Sequence, residues 1–291
     1  MNSKLKELLS SGSAEKFERH CGNDGVKPLR GLVCFKVVPE LETLTGSDWQ
    51  PDDRFRIDTR FVKTVINPLD ESALELSLKL RDQAGQIGRQ LHLTALTVGD
   101  GKADAILKTL YALKFNLAVR VESEVDLRFN SERTAAHLFD FISGSEPFDL
   151  IVMGGRSADG DNASVPLLLA EALGRPCLTQ VTDFKLQDDG LEVVSLMDDG
   201  ELIQLIRLPL VLAVGNAPAT YLRIPTLKDR MSHGKKEIEL RTIEIDPAVE
   251  PSYEIKSLQY EQHERDVVII EGGSPGEMAA RLYDEYLKSR L

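Results

Sequence analysis

The apolar run Phe148–Met153, the turn Gly154-Gly-Arg-Ser-Ala-Asp-Gly-Asp-Asn-Ala-Ser164 and the segment Val165–Gly174 constrain the fold more than any other stretch of the chain. The run reads as a buried strand and the segment as a helix stopped by glycine. A strand that ends in small residues and feeds a helix start is where α/β proteins bind nucleotides. Glycine supplies the torsions, and the free amides of the first helical turn point at anions. No Gly-Lys-Ser/Thr follows, so this is not a Walker loop, and the Gly-x-Gly-x-x-Gly pattern of dinucleotide sites is absent. On mechanics alone the stretch reads equally as a nucleotide or other anion site and as a plain strand-to-helix turn.

The surrounding sequence repeats the same grammar. Gly31–Val38 is a strand candidate ended by Pro39, and residues 40–65 form a polar excursion. Asn67-Pro-Leu-Asp-Glu71 signals a helix start, with Asn67 as cap, Pro68 in the first turn and two acids at the positive end of the dipole. Ala73, Leu74, Leu76, Leu78 and Leu80 give that helix a broad apolar stripe. A strand over Leu91–Val98, a helix over Lys102–Leu113, a strand over Leu117–Val121 and a helix over Ser131–Ile142 follow. Such alternation predicts an α/β fold, a parallel sheet with helices on both faces.

After Gly174 the character changes. Cys177–Leu186, Leu191–Met197 and Leu202–Leu208 are short runs separated by turn signals, which predicts an added antiparallel β-meander. Leu210–Val214 returns as a buried strand. Residues 241–265 read as a linker, and Ser274-Pro-Gly-Glu277 opens a C-terminal helical arm through a capping box. Residues 1–30 read as an N-terminal extension, 31–240 as the α/β domain and 241–291 as linker and partner-docking arm.

Charge and composition exclude several functions. The chain carries 47 acidic against 35 basic residues, a net charge of -12, so nucleic acid is not an expected partner. No apolar run reaches 18 residues, so no membrane span is expected. Cys21, Cys34 and Cys177 are unpatterned and read as reduced thiols of a cytoplasmic protein, with no zinc site. His92 and His137 lack metal-ligand spacing and read as structural. No set of catalytic acid, base and nucleophile is evident.

Taken in order, several segments resemble electron-transfer flavoprotein beta subunits. These are Lys36-Val-Val-Pro-Glu40, Ile66-Asn-Pro-Leu-Asp-Glu71, Leu96-Thr-Val-Gly99, Gly155-Arg-Ser-Ala-Asp-Gly-Asp161, Leu208-Pro-Leu210, Asn216, Arg223-Ile-Pro-Thr-Leu227 and Lys235-Lys-Glu-Ile-Glu239. The resemblance implies an adenine-nucleotide-hydrolase-like fold and an electron carrier rather than an enzyme. It implies a heterodimer with an alpha subunit that holds the redox FAD, fed by a flavin-dependent dehydrogenase and drained by a quinone oxidoreductase. It implies AMP in this chain, or a second FAD in a bifurcating version. The adenine side would involve Lys36, Val37, Val38, Pro39, Asn67, Val98 and Gly99. The phosphate side would involve Asp159, Asp161, Asn162, Ala163, Ser164 and Val165. A dehydrogenase-docking loop would run from Arg223 to Lys236 with Leu227 as apolar anchor and Lys228 and Arg230 beside it.

Two departures stand out. Ser164 occupies the place of the family's usual glutamine, and Pro166 that of a glycine, which removes one side chain and one amide from the phosphate side. Asp229 and Arg230 make the docking loop more charged than usual. A reading from another class is an adenine-nucleotide-binding regulator or adenylyl-transfer protein on a similar body, which predicts ATP turnover and no flavin partner.

Overall fold

The computed structural model describes residues 27–123, 127–218, 220–243, 255–259 and 267–288. Residues 1–26 of the expected extension and most of the expected linker lie outside the described residues. The described chain divides into two compact units. One comprises the residues up to Leu44 and those from Thr59 to Ile243. The other comprises Thr45–Asp58 and the residues from Ile255 onward.

In the first unit the elements follow the expected alternation: β1 (Leu29–Cys34), β2 (Val37–Pro39), β3 (Thr64–Ile66), α1 (Pro68–Gln86), β4 (Leu91–Val98), α2 (Asp104–Ala112), β5 (Leu117–Glu122), α3 (Ser131–Ser143), β6 (Leu150–Gly154) and α4 (Val165–Leu173). Then come β7 (Cys177–Gln187), β8 (Gly190–Met197), β9 (Gly200–Ile206), β10 (Leu210–Val214), α5 (Leu227–His233) and β11 (Glu239–Thr242). Nine strands form one sheet in the order β11-β5-β4-β1-β6-β10-β7-β8-β9. It is parallel from β11 to β7, and β8 and β9 extend it antiparallel. The meander is therefore the continuation of the main sheet, with β7 belonging to both parts.

Side chains alternate across the pleat and build two cores. Val33, Leu93, Val152 and Leu212 pack under α1 and α2 with Leu74, Leu78, Leu107 and Leu110. Their neighbours Leu32, Leu96, Ile151 and Val211 face the other way and meet Leu138, Phe141 and Leu169 of α3 and α4. Each fully buried leucine contributes about 1.5–3 kcal/mol, so covering both faces is what stabilises a parallel sheet of this size. The width of the α1 stripe has a second cause. The segment around Ala217 and Leu222 joins the same core.

Three local expectations change. The strand expected over Gly31–Val38 breaks after Cys34, because the Lys36 amide donates to the Asp70 carboxylate at 2.9 Å. The chain restarts as β2, which pairs antiparallel with β3 from the polar excursion. Asn67 does not cap α1 with its side chain, which reaches 89 residues along the chain instead. Residues 241 and 242 are not linker but the end of β11, paired parallel with β5.

In the second unit, Thr45 and Asp48 close a short 3-10 turn through a capping box. The expected Ser274–Glu277 capping box is present and starts α6 (Pro275–Leu282). The helix runs on through a π turn at Tyr283–Leu287.

Candidate functional site

From β1 the chain passes through α1 to β4 on one side, while β6 lies on the other side of β1. The crevice beyond the carboxyl ends of β1 and β6 is thus the switch point of the sheet, the place where open α/β sheets bind ligands. Asp70, in the first turn of α1, sits beneath it with 5% exposure. Its carboxylate accepts the Gly154 amide at 2.6 Å, the Lys36 amide at 2.9 Å and the Asn67 side-chain amide at 3.0 Å. Burial pushes its pKa up to about 6, against the opposing pull of those donors and of the Lys36 charge. The buried Cys34 thiol is pushed up too, first by desolvation and then by Asp70. A Cβ on Gly154 would lie 2.5 Å from Asp70 Oδ1, so this approach requires glycine.

On the β4 side a cavity of about 230 Å³ opens between β2, β3 and the turn after β4. It brings together four of the residues expected on the adenine side, Val37, Pro39, Val98 and Gly99. Thr59, Thr64 and Asp100 also line it and were not expected. The Gly99-Asp-Gly101 turn is visible in sequence, but Thr64 reaches the cavity through the pairing of β3 with β2. Val38 points into the core with 1% exposure. Asn67 is 2% exposed, and its side chain donates to Arg156 O at 2.9 Å and accepts from the Ala158 amide at 3.0 Å.

On the β6 side the turn is a compact, self-neutralised structure. The Gly155 amide donates to Val214 O at 2.8 Å, and Asp161 and Ala163 adopt left-handed φ values of 47° and 51°. Lys36 Nζ meets Asp159 at 2.7 Å and Arg156 meets Asp161 at 3.3 Å. Both pairs are partly exposed, so each contributes about 0–1 kcal/mol and can be exchanged for another anion at little cost. Ser164 Oγ donates to Asn162 O at 2.7 Å and does not cap α4. Val165 and Leu167 present amides in the first turn, while Pro166 has none. Asn162 and Ser164 line a second recess of about 270 Å³ with Phe129, Ser131 and Glu132.

The expected docking loop contains α5, whose N-cap Thr226 accepts the Asp229 amide at 3.1 Å. Leu227 is 74% exposed, and Tyr221, Ile224 and Met231 are exposed beside it. Lys228 and Arg230 also face solvent. Arg223 does not project. It grips Glu75 and Asp82 of α1, and its own amide donates to Glu75 at 3.1 Å.

Among the described residues no group of three or more His, Cys, Asp and Glu could hold a metal ion, and no helix is long and apolar enough to cross a membrane. His92 is exposed, and buried His137 places Nδ1 2.7 Å from Arg133 O.

The profile of the electron transfer flavoprotein domain matches residues 55–245. The chain is 32% identical over 262 residues to YgcR of Escherichia coli (strain K12), a protein assigned as an electron transfer flavoprotein subunit. That match covers 89% of this chain and 98% of the relative. It is 31% identical over 190 residues to the electron transfer flavoprotein subunit beta of Bacillus subtilis (strain 168), covering 62% and 70%. The corresponding beta subunit of Megasphaera elsdenii is 28% identical over 216 residues, covering 71% and 76%.

Proposed function

The chain belongs to the electron transfer flavoprotein family, on the beta-subunit side, and from that membership we propose that it forms a heterodimeric electron carrier with an alpha subunit. The alpha partner holds the redox FAD, which supplies the electron-transfer chemistry. This chain holds an adenine nucleotide, AMP, across the carboxyl ends of β4, β1 and β6, with the base on the β4 side and the phosphate on the β6 side. It also presents the surface that meets a flavin-dependent dehydrogenase on one leg and a quinone oxidoreductase on the other.

The observation that carries this reading is the convergence of Val37, Pro39, Val98 and Gly99 on one cavity beside the switch point. The residues present fit an adenylate. Apolar Val37, Pro39 and Val98 suit the faces of a purine, and Thr64, Thr97 and Asp100 offer partners for its ring edge or ribose. On the phosphate side, the amides of Val165 and Leu167 and the Lys36 ammonium are the available donors. Lys36 would leave Asp159 to hold a bound phosphate, while Arg156 keeps Asp161. The missing amide of Pro166 makes this hold weaker than one built on a full helix start.

Leu227, Ile224 and Tyr221 supply the apolar contact for the dehydrogenase, and Lys228 and Arg230 select an acidic partner surface around it. Because docking and cofactor handling are all that is asked of this chain, it has no need of an acid–base set.

The test is a count of nucleotides released by denaturing the complex purified with its alpha subunit. One FAD and one AMP per complex is the expected result. Two FAD and no AMP would replace the AMP assignment with a bifurcating carrier. ATP turnover with no flavin partner would overturn the reading in favour of an adenylyl-transfer protein.

A further inference from the structure

Asp70 lines neither recess of the site. Yet its carboxylate binds two backbone amides from opposite walls of the crevice, Lys36 after β1 and Gly154 at the end of β6. Asn67, three residues earlier and hydrogen-bonded to Asp70 at 3.0 Å, takes the next two alternate positions of the turn through Arg156 O and the Ala158 amide. So residues 154, 156 and 158, together with the Lys36 link, hang on two side chains of one helix entry.

A helix start does not require this. The dipole would be served by any exposed acid, and a buried carboxylate carries a desolvation cost that an apolar side chain avoids. What a carboxylate adds is acceptor capacity on both oxygens. An asparagine in its place has one acceptor oxygen and turns an N–H toward the other donor. Glycine at 154 fits the same purpose, since a Cβ there would strike Asp70 Oδ1 and lie 3.0 Å from the Asp70 amide.

We propose that Asp70 is a positioning residue for the nucleotide. It fixes the separation of the Lys36 link and the 154–164 turn, and so aims the Lys36 ammonium and the first amides of α4 at one phosphate position. It acts through the turn, not by contact with the ligand. The proposal rests on the nucleotide reading above.

The experiment compares wild type with Asp70→Asn and Asp70→Ser in the full chain. Serine is smaller and keeps one acceptor, so it remains informative if the amide fails to fold. Hydrogen exchange is followed on peptides covering 150–165 and, as reference, 91–112, and AMP and FAD binding are measured by calorimetry. The expected result is exchange in 154–158 faster by roughly tenfold and AMP affinity weaker by roughly tenfold, with the reference peptides unchanged. Faster exchange across all peptides would mark a general loss of stability and overturn the positioning role. So would unchanged exchange in the turn, or a loosened turn with wild-type affinity. A wild-type chain that binds neither AMP nor FAD would overturn the nucleotide reading and the affinity half of the proposal. The exchange comparison would still decide whether Asp70 orders the turn.

Discussion

Arg223 Nη2 lies 2.7 Å from Glu75 Oε1, joining residues 148 positions apart, and the Glu75 side chain is only 8% exposed. The same guanidinium reaches Asp82, and Glu71 and Ser72 of α1 bond Leu222 and Thr220 alongside. The exposed Tyr221, Ile224 and Leu227 thus stand on a segment riveted to the helix that also carries Asp70.

Truncating Arg223 to Met leaves a buried carboxylate without its cation. The expected loss is roughly 2–3 kcal/mol, moderated because the arginine itself is partly exposed. Pairing it with Glu75→Gln removes the stranded charge and recovers more than half of the loss. Urea unfolding of the two single variants and the double variant checks this, and strictly additive losses would contradict it.

Asp70 makes stability depend on pH with a definite sign. Its folded pKa of about 6 lies above the usual 3.8, so the folded chain binds this proton more tightly than the unfolded chain. The cost of burying the charge is fully present above about pH 6 and is relieved as pH falls toward the ordinary carboxylate range. Wild type should therefore gain about 1 kcal/mol relative to Asp70→Asn between pH 7 and pH 5. Parallel unfolding curves at the two pH values would contradict the burial account.

Gly154→Ala should cost roughly 2–4 kcal/mol, because the new Cβ meets Asp70 Oδ1 and the hydrogen bond to its carboxylate must give way. Gly85→Ala, where a Cβ meets nothing within 4 Å in the middle of the last turns of α1, serves as the matched control and should be neutral or stabilising. Chemical denaturation of both variants distinguishes a local collision from a general effect of the substitution.

What was legible in the sequence was what adjacent residues decide. Pro68, Asp70 and Glu71 announce α1, the turns at 188–190 and 198–200 announce the meander, and the runs either side of the 154–164 turn announce β6 and α4. What was not legible depends on partners far along the chain. Nothing local says that the Lys36 amide turns to Asp70 and ends β1. Nor does anything local say that Asn67 reaches Arg156 and Ala158 instead of capping its own helix. Arg223 reads as an exposed docking cation because its partners Glu75 and Asp82 lie 148 and 141 positions away. The β11 pairing is hidden for the same reason, a parallel edge strand whose neighbour was completed more than a hundred residues earlier.

Pro166 offers the sharpest test of the phosphate side. It stands in the first turn of α4, where backbone amides have no intrahelical acceptor, and proline supplies none. Pro166→Ala restores that donor with a good helix former. One hydrogen bond to a charged group contributes about 1.5–3 kcal/mol, so AMP affinity should rise by roughly tenfold or more. The same change frees the unfolded chain and removes buried ring carbons, and should lower stability of the unliganded protein by about 1–2 kcal/mol. Tighter AMP binding together with a lower thermal midpoint is the expected signature. A variant that loses stability and leaves affinity unchanged would mean that the phosphate does not reach the start of α4.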